Sequence, residues 1–350
     1  MKFIHIADVH LGVKPDAGLP WSEKRAKDIW DSFAEIVEVA KKENVDFLFI
    51  TGDLFHAQPL KKELREVDAL FRQIPRTRIL LLAGNHDYLQ QKSYYLTYPW
   101  AENVYLFKRE EAESFDFPEL NTTIYGLSYW RREILEPLYD TVAPKNPLRL
   151  NVLLAHGGDV RHIPFSAEKI LQNGFDYLAS GHIHKGHWLV KDRAVMAGSL
   201  EPIECNDVGP HGYWMGELEK GRSLVHFFPI RKCEYCHEIC QVDPKTSQRM
   251  LRNRVEELLA ERPEYQYFRL CLEGRQDPDM EYDLEELASY PRIVDVTEHL
   301  TIDYDYEKLQ QEHPDSILGS YIRRMNQREQ NTVTKKALEY GVNALLGHKV

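Results

Sequence analysis

Residues 79–87 read Ile79-Leu80-Leu81-Leu82-Ala83-Gly84-Asn85-His86-Asp87, five apolar residues running into a glycine, an amide, an imidazole and a carboxylate. A run this short and apolar, stopped by glycine, is the pattern of a strand buried on both faces. The pattern recurs along the chain. Phe3-Ile4-His5-Ile6-Ala7 leads into Asp8-Val9-His10, and Phe47-Leu48-Phe49-Ile50-Thr51 leads into Gly52-Asp53. Val152-Leu153-Leu154-Ala155 leads into His156-Gly157-Gly158, and Tyr177-Leu178-Ala179-Ser180 leads into Gly181-His182-Ile183-His184. Between the early runs, Ile29, Trp30, Phe33, Ile36, Val37 and Ala40 recur at helical spacing. Lys61 to Gln73 likewise places Leu64, Val67, Leu70 and Phe71 on one stripe. Strand–helix alternation predicts a layered, largely parallel α/β domain, whose ligands gather beyond the carboxyl ends of the strands. All five polar strings lie there.

The chain has 350 residues, 43% hydrophobic and 28% charged, the composition of an ordinary globular protein. No apolar run reaches the ~18 residues of a membrane span. Five cysteines in a chain of this length do not make a disulfide framework, so the expectation is a reduced, cytoplasmic protein. A net charge of −11 argues against coating nucleic acid by charge alone. It leaves open an enzyme that acts on nucleic acid. After Ser199 the texture changes. Tyr213–Leu218 and Leu224–Ile230 read as strands closing the first domain. Then come a strand near Cys240, a helix over Ser247–Ala260, a strand over Tyr267–Glu273, a helix over Leu284–Ala288 and a strand over Ile293–Val296. Two polar-rich helices, Ile317–Gln327 and Thr332–Leu346, follow. The division expected is 1–238, 239–305 as a small α+β cap, and 306–350 as a helical tail.

Asp8, His10, Asp53, Asn85, His156, His182 and His184 offer seven oxygen and nitrogen donors at successive strand ends. Any one of them alone is an ordinary structural residue; their conjunction in this order is the signal. Two divalent ions ~3.5–4 Å apart need a carboxylate to bridge them. Asp53 is the natural bridge, because Gly52 before it allows close backbone approach. A carboxylate–imidazole–amide set without thiolate suits Mn²⁺, Fe²⁺ or Zn²⁺. Cys233-x-x-Cys236-x-x-x-Cys240 lacks the second pair of a structural zinc site and reads as partly buried strand cysteines.

The set Asp8-x-His10, Gly52-Asp53, Gly84-Asn85-His86-Asp87, His156 and Gly181-His182-x-His184 resembles the calcineurin-like metallophosphoesterase superfamily. The longer strings Phe3–Gly12, Gly52-Asp53-Leu54-Phe55-His56 and Gly198-Ser199-Leu200 resemble its SbcD-type double-strand-break repair nucleases. The resemblance implies a β-sandwich flanked by helices and two divalent ions, Mn²⁺ before the other metals. One ion would be held by Asp8, His10, Asp53 and His184, the other by Asp53, Asn85, His156 and His182. It also implies that His86 touches the scissile phosphate or protonates the leaving oxygen, that Asp87 orients His86, and that His56 is a second catalytic histidine. The implied activity is two-metal hydrolysis of DNA phosphodiesters by a homodimer working with an SbcC-type ATPase. Lys14, Arg131, Arg132, Arg161 and Lys185 near the rim are candidates for sequence-independent backbone contact. Tyr94, Tyr95, Tyr98 and Trp100 read as core, although the matching family segment contributes to a dimer contact. The tail helices carry too few apolar positions to stand alone and are expected to dock on the ATPase, or else to fold back on the catalytic domain. Competing readings are a phosphoesterase for small phosphodiesters, nucleotides or phosphoproteins, and a non-catalytic scaffold, against which the full ligand set argues.

Overall fold

The structure, a computed structural model, describes residues 1–347. It divides into two compact units, one of residues 1–236 with 265–267, the other of 237–264 with residues from 268 onward. In the first unit, β1 (Lys2–Ile6), β2 (Phe47–Thr51), β3 (Arg78–Leu82) and β4 (Val104–Leu106) run parallel. A second sheet follows from β5 (Glu113–Phe117), β6 (Thr122–Gly126), β7 (Leu150–His156), β8 (Tyr177–Gly181), β9 (His187–Val190) and β10 (Ala194–Met196). The chain then returns to the first sheet through β11 (His211–Glu219) and β12 (Arg222–Ile230), giving the orders β12-β11-β1-β2-β3-β4 and β5-β6-β7-β8-β10-β9. The two strands expected to close the domain are thus the antiparallel edge of the first sheet.

Period-two alternation within the apolar runs builds three layers of core. Phe3, Phe47, Phe49, Leu80 and Leu82 point between the sheets, meeting Ile124, Val152, Leu154 and Tyr177 from the second. The alternate residues Ile4, Ile6, Leu48, Ile50, Ile79 and Leu81 point outward. They meet Ile29, Phe33, Ile36 and Val37 of α1 (Ser22–Glu43) and Leu64, Val67 and Phe71 of α2 (Lys61–Phe71). A one-turn α3 (Tyr94–Thr97) adds Tyr95 to that layer. On the far side, α4 (Ala167–Gln172) covers Leu153, Ala155 and Leu178. Each fully buried aromatic or branched side chain contributes roughly 1.5–3 kcal/mol. This explains why strands of five residues suffice. Of the aromatic cluster, Tyr95 is fully buried, while Tyr98 and Trp100 pack against the core partly covered.

β13 (Glu234–Val242), β14 (Gln266–Gln276) and β15 (Ile293–Ile302) form one sheet, with β13 counted to the second unit from residue 237 and β14 from residue 268, and that unit also holds α5 (Gln248–Glu261) and α6 (Leu284–Ala288). It also holds α7 (Tyr306–Glu312), α8 (Ile317–Asn326) and α9 (Thr332–Leu346). The last two helices share a small core of Leu318, Ile322, Met325, Leu338 and Val342 with Tyr304. Tyr304 donates its hydroxyl to Asn343 Oδ1 at 2.8 Å. The helix pair thus has a partner within its own unit, in α7 and the segment before it. Among the described residues no helix is long and apolar enough to cross a membrane.

Arg25 of α1 is fully buried and donates to the carbonyl of Pro202 at 2.9 Å and to Asp28 Oδ2 at 3.3 Å, with Glu201 Oε2 at 3.7 Å. Burial pushes the Glu201 carboxyl up to about 7, against the pull of its bond from Ser32 and the charge of Arg25. The folded value lies above the ordinary one, so Glu201 favours the fold most when protonated. Its contribution is complete below about 4.5 and is lost as pH rises through about 7. In urea titrations at several pH values, wild type should lose stability relative to Glu201→Gln between pH 5 and 8; a pH-independent difference would refute this. Arg25→Leu should cost about 3–5 kcal/mol, because it strands the remaining partners of a buried charge.

Candidate metal centre

The pairing of β1 with β2 continues past both strands, with Asp8 N donating to Gly52 O at 3.1 Å and His10 N to Asp53 O at 3.0 Å. To make those turns the backbone enters the left-handed region at Asp8 (φ 49°), His10 (φ 52°) and Asp53 (φ 50°), and His182 sits at φ 105°. Such conformations cost non-glycine residues of order 1–3 kcal/mol and persist only where surroundings impose them. The glycines of the strings serve close approach. A Cβ on Gly84 would stand 2.2 Å from Asp53 Oδ1 and 2.7 Å from Asp53 N, and one on Gly52 would stand 2.2 Å from His156 Nδ1.

The seven donors converge. Asp53 Oδ2 lies 3.4 Å from His156 Nε2 and 4.0 Å from His10 Nε2, while its Oδ1 accepts from His86 N at 2.8 Å. Asn85 Oδ1 is 2.9 Å from His156 Nε2 and 3.1 Å from His182 Nδ1. His10 Nε2 and His184 Nε2 face each other at 3.2 Å. Asp8 Oδ2 accepts from His182 N at 2.8 Å, but its Oδ1 is buried without a partner. Asp8, His10 and His184 form one metal-capable group, and Asp8, Asp53 and His156 another.

Charge explains the rest. Burial pushes the Asp8 carboxyl up, opposed by His156 and His184. Burial would raise Asp53 as well, but His156 and His10 hold it well below the usual carboxylate range. His156 is pushed up to about 9, Asp53 overcoming a burial that disfavours the cation. His184 also reaches about 9, its bond to Asp207 outweighing burial, whereas burial and then the His156 charge pull His182 down to about 4. An orphaned buried carboxylate oxygen and two imidazole nitrogens in contact make a donor set that divalent cations fit and protons fill only partly.

Around the donors the structure adds residues that sequence reading did not supply. Asp159 Oδ2 accepts from His182 Nε2 at 2.7 Å and from His162 Nδ1 at 2.9 Å. Asp207 Oδ2 accepts from His184 Nδ1 at 3.1 Å and from Ile203 N at 3.0 Å. Tyr139 Oη accepts from His156 N at 2.9 Å, and the Tyr129 hydroxyl donates to His156 O at 3.0 Å. Asp159 was findable, since it stands three residues beyond His156 in a glycine turn; Asp207 carried no local signal.

His86 and His56 are half-buried at the rim with ring centroids 5.2 Å apart, each near His10. His86 Nδ1 lies 3.2 Å from the carbonyl oxygen of His56. The expectation that Asp87 orients His86 is corrected. Asp87 is fully buried, with its oxygens taken by Gly84 N at 2.7 Å, Phe55 N at 3.2 Å and the Tyr95 hydroxyl at 3.2 Å. It shapes the turn that presents His86. Of the basic candidates, Lys14 pairs with Glu23, Arg131 with Glu110 and Glu136, and Arg161 with Glu133, while Arg132 and Lys185 are exposed. Among the described residues no metal-capable group includes a cysteine.

The model of the calcineurin-like phosphoesterase family matches residues 1–186, and the chain belongs to that family, whose members are metal-dependent phosphoesterases. It is 27% identical to the uncharacterized metallophosphoesterase YhaO of Bacillus subtilis, over 65% of this chain and 60% of that one. It is also 27% identical to the DNA double-strand break repair protein Mre11 of Saccharolobus solfataricus, over 65% of this chain and 60% of that protein. For the Sulfurisphaera tokodaii protein of the same name the identity is 27%, over 83% and 78%. The chain thus spans about three-fifths of the length of the first two. A crystal structure of a dimetal phosphatase from Danio rerio aligns with a TM-score of 0.43 and 14% identity, over 65% of this chain and 95% of that one.

Because the atoms nearest a Gly84 Cβ include backbone, Gly84→Ala should cost ~1–3 kcal/mol by overpacking and displace Asp53. Unfolding curves and metal content after dialysis should fall together. Full metal retention in a destabilised protein would separate the glycine from the site.

Proposed function

We propose that the protein is a two-metal phosphodiesterase that cuts DNA in double-strand-break repair. The observation that carries the reading is the Asp53 carboxylate set between His10 and His156, with Asn85 Oδ1 between His156 and His182. Asp8, His10, Asp53 and His184 would hold one ion, and Asp53, Asn85, His156 and His182 the other. Mn²⁺ is the metal the resemblance implies, and the mixed carboxylate–imidazole–amide set suits Fe²⁺ or Zn²⁺ as well. Bound there, divalent ions would supply Lewis acidity toward phosphate oxygens and a nucleophile from water at neutral pH. The chain's own part is positioning and proton transfer. With Nδ1 donating to the His56 carbonyl, the imidazolium form of His86 would pass its Nε2 proton to the leaving oxygen and be left as neutral imidazole. His56 crowds the same rim and narrows the choice of orientation for the ester. The repair role draws on the resemblance and on the relatives named for double-strand break repair, whereas a homodimeric state and an SbcC-type ATPase partner draw on the resemblance alone. Exposed Ile317 and Val333 on the C-terminal helices offer the partner an apolar grip.

The paired state of Lys14, Arg131 and Arg161 and the charge of −11 favour a second reading, a phosphoesterase for small phosphodiesters. Turnover of duplex DNA ends against a chromogenic diester, with Mn²⁺ and after chelation, decides between them. Asp53→Ala should lose bound metal. His86→Ala should keep both ions and lose ~10²–10⁴-fold in turnover. Cleavage that survives complete metal removal would overturn the proposal, and an empty site in His86→Ala would overturn the role of that residue.

A further inference from the structure

His182 and His184 stand two residues apart on one loop, yet they turn opposite ring nitrogens toward the donor cluster. His182 directs Nδ1 at Asn85 Oδ1 (3.1 Å) and Nε2 at Asp159 Oδ2 (2.7 Å). His184 directs Nε2 at His10 Nε2 (3.2 Å) and Nδ1 at Asp207 Oδ2 (3.1 Å). An imidazole offers a lone pair on one nitrogen only when the proton sits on the other, so whatever holds that proton decides which nitrogen can bind a cation. A carboxylate accepts only, and each of these is itself held in place. Asp159 Oδ1 also accepts from the backbone N–H groups of Arg161 (2.7 Å) and His162 (2.9 Å). Asp207 accepts from Ile203 N, and its carbonyl oxygen lies 3.1 Å from His211 Nε2, whose Nδ1 meets buried Ser199.

We propose that Asp159 and Asp207 are the positioning residues that fix opposite tautomers of His182 and His184, each setting the affinity of one of the two metal positions and not of the other. Asp159 thereby serves the position of Asn85, His156 and His182, and Asp207 that of Asp8, His10 and His184. Asp159 also sits on the loop that leaves His156, so one connection carries a ligand of that position and the acceptor that orients another. The inference rests on the ligand assignment made above and adds which carboxylate governs which ion.

The test uses the full chain and Mn²⁺ alone, reading two stepwise affinities by titration. Asp159→Ala should weaken one affinity by about 10–100-fold and leave the other, and Asp207→Ala should do the reverse. In double-mutant cycles, Asp159→Ala should add little to His182→Ala but its full effect to His184→Ala. Asp159→Asn and Asp207→Asn, which keep an acceptor oxygen, should recover part of each loss. Ring ¹⁵N signals of the Zn²⁺-loaded protein should place the proton on Nε2 of His182 and on Nδ1 of His184. His162→Ala removes the other imidazole on Asp159 and should leave both affinities in place, separating orientation of His182 from general support of the loop. A wild-type protein that binds no Mn²⁺ would sink the metal reading itself. Two bound ions in wild type, with equal losses at both positions in each variant or full additivity with His182→Ala, would overturn the tautomer roles.

Discussion

A carboxylate buried where two sheets meet is costly unless cations surround it, and Asp53 is such a group. It leaves the end of one sheet, and the imidazole that answers it, His156, leaves the end of the other. The loops are bent to serve that pair. Gly52 and Gly84 are bare so that His156 and Asp53 can come close, and four aspartate or histidine residues adopt positive-φ backbone to bring their side chains in. The raised His156 and the depressed Asp53 are one interaction seen from its two ends.

The division of labour between the sheets is uneven. Asp8, Asp53 and Asn85, all the oxygen donors, follow strands of the first sheet together with one imidazole, His10, whereas the other three imidazoles, His156, His182 and His184, belong to the strand ends of the second. Hard ligands thus face a wall of imidazoles across the sandwich. The outer carboxylates, Asp159 and Asp207, return negative charge to the imidazole side from behind. With ions bound, this arrangement would leave the imidazoles neutral and free to coordinate.

Much of this was legible in the sequence because five strands are mostly apolar and end abruptly in polar strings; periodicity and punctuation then agree. The same logic picked out the seven residues whose side chains the structure brings to one rim. It failed where the signal is weak or distant. Strands β4 and β10 have three residues and β9 is partly exposed, too little for any period to show. Asp87 was misjudged because adjacency to His86 suggested contact, whereas a tight turn sends neighbouring side chains apart, one to the rim and one to Tyr95. Asp207 reaches His184 through a loop that no pattern marks. The support that Tyr304 and α7 give the last helices is likewise tertiary.

The order of the donors along the chain has a consequence for biosynthesis. The first is at residue 8 and the last at 184, with an orienting carboxylate at 207. Chains emerge amino end first, and contacts of such long sequence separation form late. While the first sheet is complete only as far as Asn85, its carboxylates have no imidazole wall behind them. A chain that has emerged only that far carries the three oxygen donors, Asp8, Asp53 and Asn85, with a single imidazole, His10. The full set of seven donors therefore requires synthesis beyond residue 184, and both orienting carboxylates require it beyond residue 207.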